Sequence, residues 1–258
     1  MNELFTGQEA PAPSPVPVPA SQTVRVAMPA LVPGVTYTIL GFTVLIYLLQ
    51  MASMAVFNGD DLPVMLGARA NDLINQGQWW RFITPLFLHG SAAHIFFNMY
   101  ALLSLGSLLE RHFGHGRFVA LYFIAGFAGN VFSFLLTDGY SIGASTAVFG
   151  LVAAEVIFFY QNRKLFGSQA KQAISNAVFI IGVNLFIGLA PGIDNWGHVG
   201  GLIGGAMFAW FAGPNWKVAG FFPDFHLEDQ RESREILTGA GLALLVFGGL
   251  AAWGIFFR

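Results

Sequence analysis

Four polar side chains in an otherwise apolar sequence are of types that can share one reaction: Ser145, His198, His94 and Asn98. A serine hydroxyl becomes a nucleophile when a neighbouring base takes its proton, and neutral imidazole suits that task near pH 7. Ser145 with His198 is the smallest such pair. Acyl transfer also needs donors aimed at the oxygen that gains charge, each worth about 3 to 4 kcal/mol. Ser145 lies in the small-residue run Gly143-Ala144-Ser145-Thr146-Ala147-Val148-Phe149-Gly150. If a helix begins there, the Ser145 N–H sits at its N-terminus, where unpaired N–H groups and the dipole favour an anion. His94 and Asn98, spaced i,i+4, share one helical face. Asp194 precedes His198 by four residues, but Pro191, Gly192, Asp194 and Asn195 read together as an exposed turn. A dyad is therefore expected rather than a triad.

The elements that must position these residues are membrane helices. Hydrophobic residues make up 55% of the chain and charged residues 10%, against about 25% charged in a soluble domain. Twelve basic and 14 acidic residues give a net charge of −2, which argues against a nucleic-acid partner. The sequence contains no cysteine, which excludes disulfides, thiolate metal sites and a cysteine nucleophile. A membrane helix needs about 20 mostly apolar residues. That criterion places spans near 35–57, 92–110, 117–137, 144–161, 172–190, 197–213 and 236–257, an all-α polytopic bundle. The fourth and sixth are short and glycine-rich, the kind of span in which membrane proteins place functional sites. Residues 1–33, with seven prolines, read as a disordered tail, and 214–235 as a linker before the last helix.

Short cytoplasmic loops are enriched in Lys and Arg. Arg25, Arg111, Arg117, Arg163, Lys164, Lys171, Lys217, Arg231 and Arg234 all fall on one side of the seven spans, with Arg69, Arg81 and Arg258 on the other. The N-terminus is thus expected in the cytoplasm and the C-terminus outside, in a plasma membrane of bacterial type. The second, fourth and sixth helices then all begin at the outer face, which brings His94, Asn98, Ser145 and His198 to similar depth.

The ordered set of motifs resembles the rhomboid family of intramembrane serine proteases. It runs from Trp80-Arg81, through His89, His94 and Asn98 with H-x4-H-x3-N spacing, to Glu110-Arg111. It continues with Gly143-Ala144-Ser145 and ends at His198-Val199-Gly200-Gly201-Leu202-Ile203-Gly204-Gly205, so that about residues 35–213 are covered. The resemblance implies a six-helix core at 34–213 with one additional helix at 236–258. It implies Ser145 as nucleophile, His198 as base, and His94, Asn98 and the Ser145 N–H around the oxyanion. Transmembrane proteins would be the substrates, within the lipid bilayer and without metal or organic cofactor. Two positions depart from the family pattern: Thr146 stands where Gly is common, crowding the backbone beside the oxyanion site, and Phe149 where many members have Tyr, which preserves ring stacking on His198 and loses the hydroxyl.

Plainer roles remain for several of these residues. Gly143, Gly201 and Gly205 serve close helix approach, since small residues let membrane helices meet, and that approach would carry Ser145 towards His198. His89 reads as a loop or interface residue, Trp80 and Arg81 as an interfacial anchor, and Glu110 as an acceptor for a neighbouring loop. Glu155 lies about 15 Å deeper than Ser145 along its helix and has no partner assigned. No H-E-x-x-H motif is present. Two rival readings remain, a catalytically silent rhomboid-like protein that binds transmembrane clients and a small-solute transporter; an inverted repeat would favour the latter, and none is visible. Sequence sets no oligomeric state.

Overall fold

Long apolar runs form helices in a bilayer because every backbone polar group must be satisfied within the segment. The computed structural model describes residues 26–27 and 30–257, and among these all seven expected spans are helical. They are α1 (Gly34–Val56), α4 (Ala92–Ala101) continuing through a π-helical turn at Leu102–Gly106 into α5 (Ser107–Leu136), α6 (Ser145–Gln161), which the single turn α7 (Arg163–Phe166) joins to α8 (Ser168–Ile187), α9 (Asn195–Ala212) and α10 (Ser233–Phe257). The second and third spans are separated by one residue. Gly114 takes φ 78° and ψ 163°, a conformation glycine reaches without Cβ strain, and Phe118 then packs back against Gly106.

By length and hydropathy, Gly34–Val56, Ala92–Leu136, Ser168–Ile187 and Ser233–Phe257 are able to cross a membrane. The protein is an integral membrane protein. α6, with 17 residues, is shorter than the usual span, and Asn195, His198 and five glycines dilute the hydropathy of α9. Both are central all the same: α5, α6 and α9 pack most closely against one another. The most apolar window of Ala92–Leu136 is 61% buried, against 22% for α1 and α10 and 11% for α8, so these last three face outward.

Glycine makes the central contact possible. A Cβ on Gly201 would collide with the Thr146 carbonyl and one on Gly205 with the Gly150 backbone, whereas Gly200 and Gly204 meet Ala128 of α5. One stripe of α9 thus seats α6 and the other seats α5.

Between α1 and α4 the chain forms short helices α2 (Leu62–Gly67) and α3 (Asn71–Asn75) with two 3-10 turns, all at the end of the bundle where α6 and α9 begin. Arg81 staples this loop: its guanidinium donates to the Met65 and Ala68 carbonyls and to Gln78 Oε1 at 2.7 to 2.8 Å, while the Trp80 indole donates to Leu66 O. Strand β2 (Arg69–Ala70) pairs antiparallel with β3 (Tyr140–Ser141), tying the loop to the α5–α6 connection. Buried Arg69 adds donors to Asn71, Thr137 O and Gly139 O.

At the opposite end, Glu110 is fully buried and accepts from the Val35 and Thr36 N–H groups and the Thr36 hydroxyl at 2.7 to 2.8 Å. Its target is the first turn of α1 rather than a loop. The linker read at 214–235 contains structure: β4 (Trp216–Phe221) and β5 (Asp224–Asp229) form a hairpin, and β1 (Val26–Ala27) adds to β5 in parallel. Val26–Ala27, within the stretch read as a disordered tail, are thus paired with β5, and residues 1–25, 28 and 29 lie outside the described residues. Trp216 N donates to Asn162 Oδ1, and Arg117 pairs with Asp229 at 2.6 Å. These bonds fasten the small sheet to α5 just after its Gly114 break and to the end of α6.

Candidate active site

Ser145 is the first residue of α6. The turn before it requires glycine twice over: Gly143 takes φ +134°, and a Cβ there would lie 2.8 Å from His94 Cε1 and Nε2. Gly143 N donates to Pro85 O at 2.9 Å, and Ala144 N lies 3.4 Å from His89 Nε2. This turn is therefore held by the loop before α4.

Three helices begin at this end, and their caps differ. Ser91 caps α4 by accepting from His94 N at 3.1 Å, and Asp194 caps α9 by accepting from Gly197 N at 3.0 Å. The residue before Ser145 is Ala144, which offers no side-chain cap. The first N–H groups of a helix lack intrahelical partners, so the start of α6 keeps donors directed out of the helix beside the Ser145 hydroxyl.

His198 enters from the first turn of α9, with Nε2 3.0 Å from Ser145 Oγ. The Phe149 ring, one turn into α6, stacks on the imidazole with centroids 4.1 Å apart and planes 10° from parallel. His198 is 8% exposed, and its Nδ1 has no hydrogen-bond partner among the described residues. Asp194 does not supply one. Its carboxylate accepts from Ser133 Oγ, from Thr137 Oγ1 at 2.9 Å and from Gly197 N. Burial alone would raise its pKa, but the hydrogen bonds from Ser133, Ser141, Gly197 and Thr137 outweigh burial and hold it below the usual value. The expected exposed turn at Asp194 is thus a half-buried polar junction between α5 and α9, because α5 ends in hydroxyl-bearing residues that reach the α9 cap.

His94 faces the Gly143 turn from α4. Its Nδ1 lies 3.4 Å from the Gly90 N–H; a neutral ring accepting there carries its proton on Nε2, the nitrogen that abuts Gly143. Asn98 is buried one turn on and donates through Nδ2 to His94 O at 2.9 Å. The structure therefore brings Ser145, His198, Phe149, Gly143 and His94 into one cluster and holds Asn98 by its own helix beneath His94. Glu110 lies at the far end of the bundle, and Trp80 and Arg81 act only on the supporting loop. Thr146 turns away from the Ser145 hydroxyl and seats its side chain against Gly129 of α5 and Gly197 of α9. Glu155 has no hydrogen bond or ion pair among the described residues, and no role follows for it.

Sequence reading passed over the support around His89. That ring is 1% exposed and meets His94 edge-to-face at 5.0 Å. The backbone of His89 is clamped by Gln50, whose Oε1 accepts from His89 N while Nε2 donates to His89 O, both at 3.1 Å. Burial, with a smaller contribution from His94, pushes the His89 pKa down to about 3. The signal for Gln50 and Ser133 was their polarity within apolar spans, where an unsatisfied polar group is costly.

A Rhomboid domain family model matches residues 76–215. The chain is similar to Rhomboid protease GluP of Bacillus subtilis, 41% identical over 178 residues, covering 69% of this chain and 34% of that protein. It is also similar to RHOMBOID-like protein 9, chloroplastic, of Arabidopsis thaliana, 34% identical over 154 residues, 59% of this chain and 36% of that one. RHOMBOID-like protein 5 of the same plant is 30% identical over 210 residues, 76% of this chain and 67% of its own. The chain thus spans about a third of the length of the first two relatives. Because the family model covers more than half of the chain, from the supporting loop to the end of α9, the chain belongs to the rhomboid family.

Proposed function

We propose that the chain is an intramembrane serine endopeptidase that cleaves peptide bonds in or near transmembrane segments of membrane proteins. The observation that carries this reading is the 3.0 Å contact between Ser145 Oγ and His198 Nε2 at the uncapped start of a membrane-embedded helix. In the proposed reaction His198 Nε2 takes the hydroxyl proton as Ser145 Oγ bonds to the scissile carbonyl carbon. The carbonyl oxygen gains the charge and is met by the Ser145 N–H and the His94 Nε2–H, with Asn98 holding His94 and offering its amide nearby. The C–N bond then breaks, the amine leaves with the proton from His198, and water releases the acyl group by the same route in reverse. Phe149 keeps the imidazole in plane, and Asp194 fixes the start of the helix that carries it.

Arginine and lysine placement supports an orientation in which this site lies at the outer face. Substrate helices hide their carbonyls in intrahelical bonds, so segments with glycine or other weak helix formers are the preferred targets. The test compares purified wild type with Ser145→Ala and His198→Ala, using a fluorophosphonate probe and a transmembrane reporter in lipid. Wild type labels and cleaves, and each variant loses at least about a thousand-fold in rate. Cleavage by Ser145→Ala at the wild-type rate refutes the dyad. Absence of labelling and cleavage in wild type across several reporters favours a client-binding role.

A further inference from the structure

The end of the bundle remote from Ser145 has a cleft that the proposed reaction does not use. It has a volume of about 470 Å³ and lies between residues 30–31, the chain around the Gly114 break, and the β4–β5 hairpin. A second hollow of about 400 Å³ shares Ala30, Leu31 and Arg111 and extends over Val32, Pro33 and Tyr37. The charges around it are unevenly matched. Arg117 is neutralised by Asp229 at 2.6 Å, and Glu110 is engaged by α1 and His115. Arg111 is exposed and has neither a hydrogen bond nor an ion pair among the described residues. The cleft therefore presents one uncompensated cation.

Two further lining groups lack partners. Trp216 Nε1 can only donate, and it is buried without an acceptor among the described residues; His112 Nδ1 is likewise unpaired. A buried indole donor of this kind is costly unless met. An anionic ligand rich in acceptor oxygens suits this wall.

The apolar side of the cleft indicates where that ligand comes from. Val32 is 70% exposed, and Tyr37, Val44 and Leu48 continue an exposed stripe along α1, with open space beside Gly41. The cleft lies where α1 and α10 begin and α9 ends, at the boundary between lipid and water. A soluble anion would leave that stripe bare; an acyl chain would cover it.

We propose that this cleft binds the phosphate group of an anionic phospholipid, with Arg111 meeting the phosphate and the exposed stripe of α1 receiving the acyl chains. Arg111 supplies charge recognition and Trp216 a hydrogen bond, while Leu31, Val32 and Tyr37 line the path into the bilayer. The site is independent of the chemistry at Ser145, so the two readings stand or fall separately.

The full chain in neutral detergent is titrated with dioctanoyl phosphatidylglycerol and, separately, dioctanoyl phosphatidylcholine, with bound lipid counted by native mass spectrometry. The phosphatidylglycerol is expected to bind saturably and about five-fold tighter, the preference one interfacial cation confers. Arg111→Gln abolishes the preference, Arg111→Lys retains it, and Trp216→Phe weakens phosphatidylglycerol binding while keeping the aromatic ring. Melting of each lipid-free variant separates lost binding from lost folding. Equal binding of the two lipids by wild type, or a preference that survives both Arg111→Gln and Trp216→Phe, overturns the proposal. Displacement of the lipid by millimolar inorganic phosphate assigns the site to a soluble phosphate and overturns the lipid assignment.

Discussion

Thr146 shows how much a single rotamer decides beside the Ser145 hydroxyl. The residue follows Ser145, and the family resemblance, with Gly common at that position, implies that its extra atoms crowd the oxyanion side. In the structure its side chain points between α5 and α9, where Gly129 and Gly197 leave room for it. The residue types of the site were legible in sequence, since a serine, two histidines and an asparagine stand out among apolar neighbours. The direction of Thr146 was not, because it depends on which glycines α5 and α9 bring opposite it. Its Oγ1 is buried without a partner among the described residues, and such a hydroxyl costs about 1 to 3 kcal/mol. Thr146→Val keeps the shape and removes that cost, so it is expected to raise the melting temperature in detergent and leave labelling of Ser145 intact. Thr146→Leu overfills the gap and is expected to destabilise by about 1 to 3 kcal/mol. A Thr146→Val variant less stable than Thr146→Leu would show that the hydroxyl has a partner of its own.

At the scale of elements, the meeting of α6 and α9 is what turns two distant residues into a pair 3.0 Å apart. Hydropathy gave the long apolar helices and their ends to within a few residues, and the doubled glycines of α9 gave two close faces. Hydropathy could not show that the single residue Gly114 suffices to reverse the chain, nor that residues 216–229 form a hairpin, because pairing partners are chosen by tertiary contacts that no period records. The glycines permit a graded test. A methyl at Gly201 meets the Thr146 carbonyl, whereas one at Gly182 of α8 meets nothing within 4 Å. Gly201→Ala must push α9 from α6 and with it His198 from Ser145, so a fall of at least about ten-fold in labelling rate is expected, alongside a loss of about 1 to 3 kcal/mol in stability. Gly182→Ala should retain the rate and gain a few tenths to 1 kcal/mol from helix propensity. Equal effects of the two substitutions in the labelling assay would mean that α6–α9 contact does not set the dyad.

Across the whole molecule, the site is held from outside by buried polar groups that must keep one protonation state. The uneven distribution of basic residues between the two ends was readable from the sequence, but the set of clamps at the Ser145 end was not: Gln50, His89, Arg69, Ser133 and Asp194 come from five separate parts of the chain. His89 is the clamp whose titration can be followed. Its pKa falls from 6.5 to about 3 on folding, chiefly through burial. The unfolded chain therefore binds the extra proton first as pH drops, and folding loses stability between pH 6.5 and about 3 by up to about 1.4 kcal/mol per pH unit. Above pH 6.5 the group is neutral in both states, and its contribution is constant. Asp194, whose pKa is also lowered, adds the same sign of dependence only below its ordinary value of 3.8, so the upper part of the window reports on histidine. His89→Gln preserves an acceptor for the Ala144 N–H and cannot charge. Its melting temperature is expected to lie somewhat below wild type at pH 7.5, because the edge contact with His94 is lost. The two should converge as pH is lowered towards 4.5, because wild type alone pays the cost of holding this ring neutral. Parallel curves over that range would place the acid-sensitive group elsewhere and reduce His89 to a packing residue.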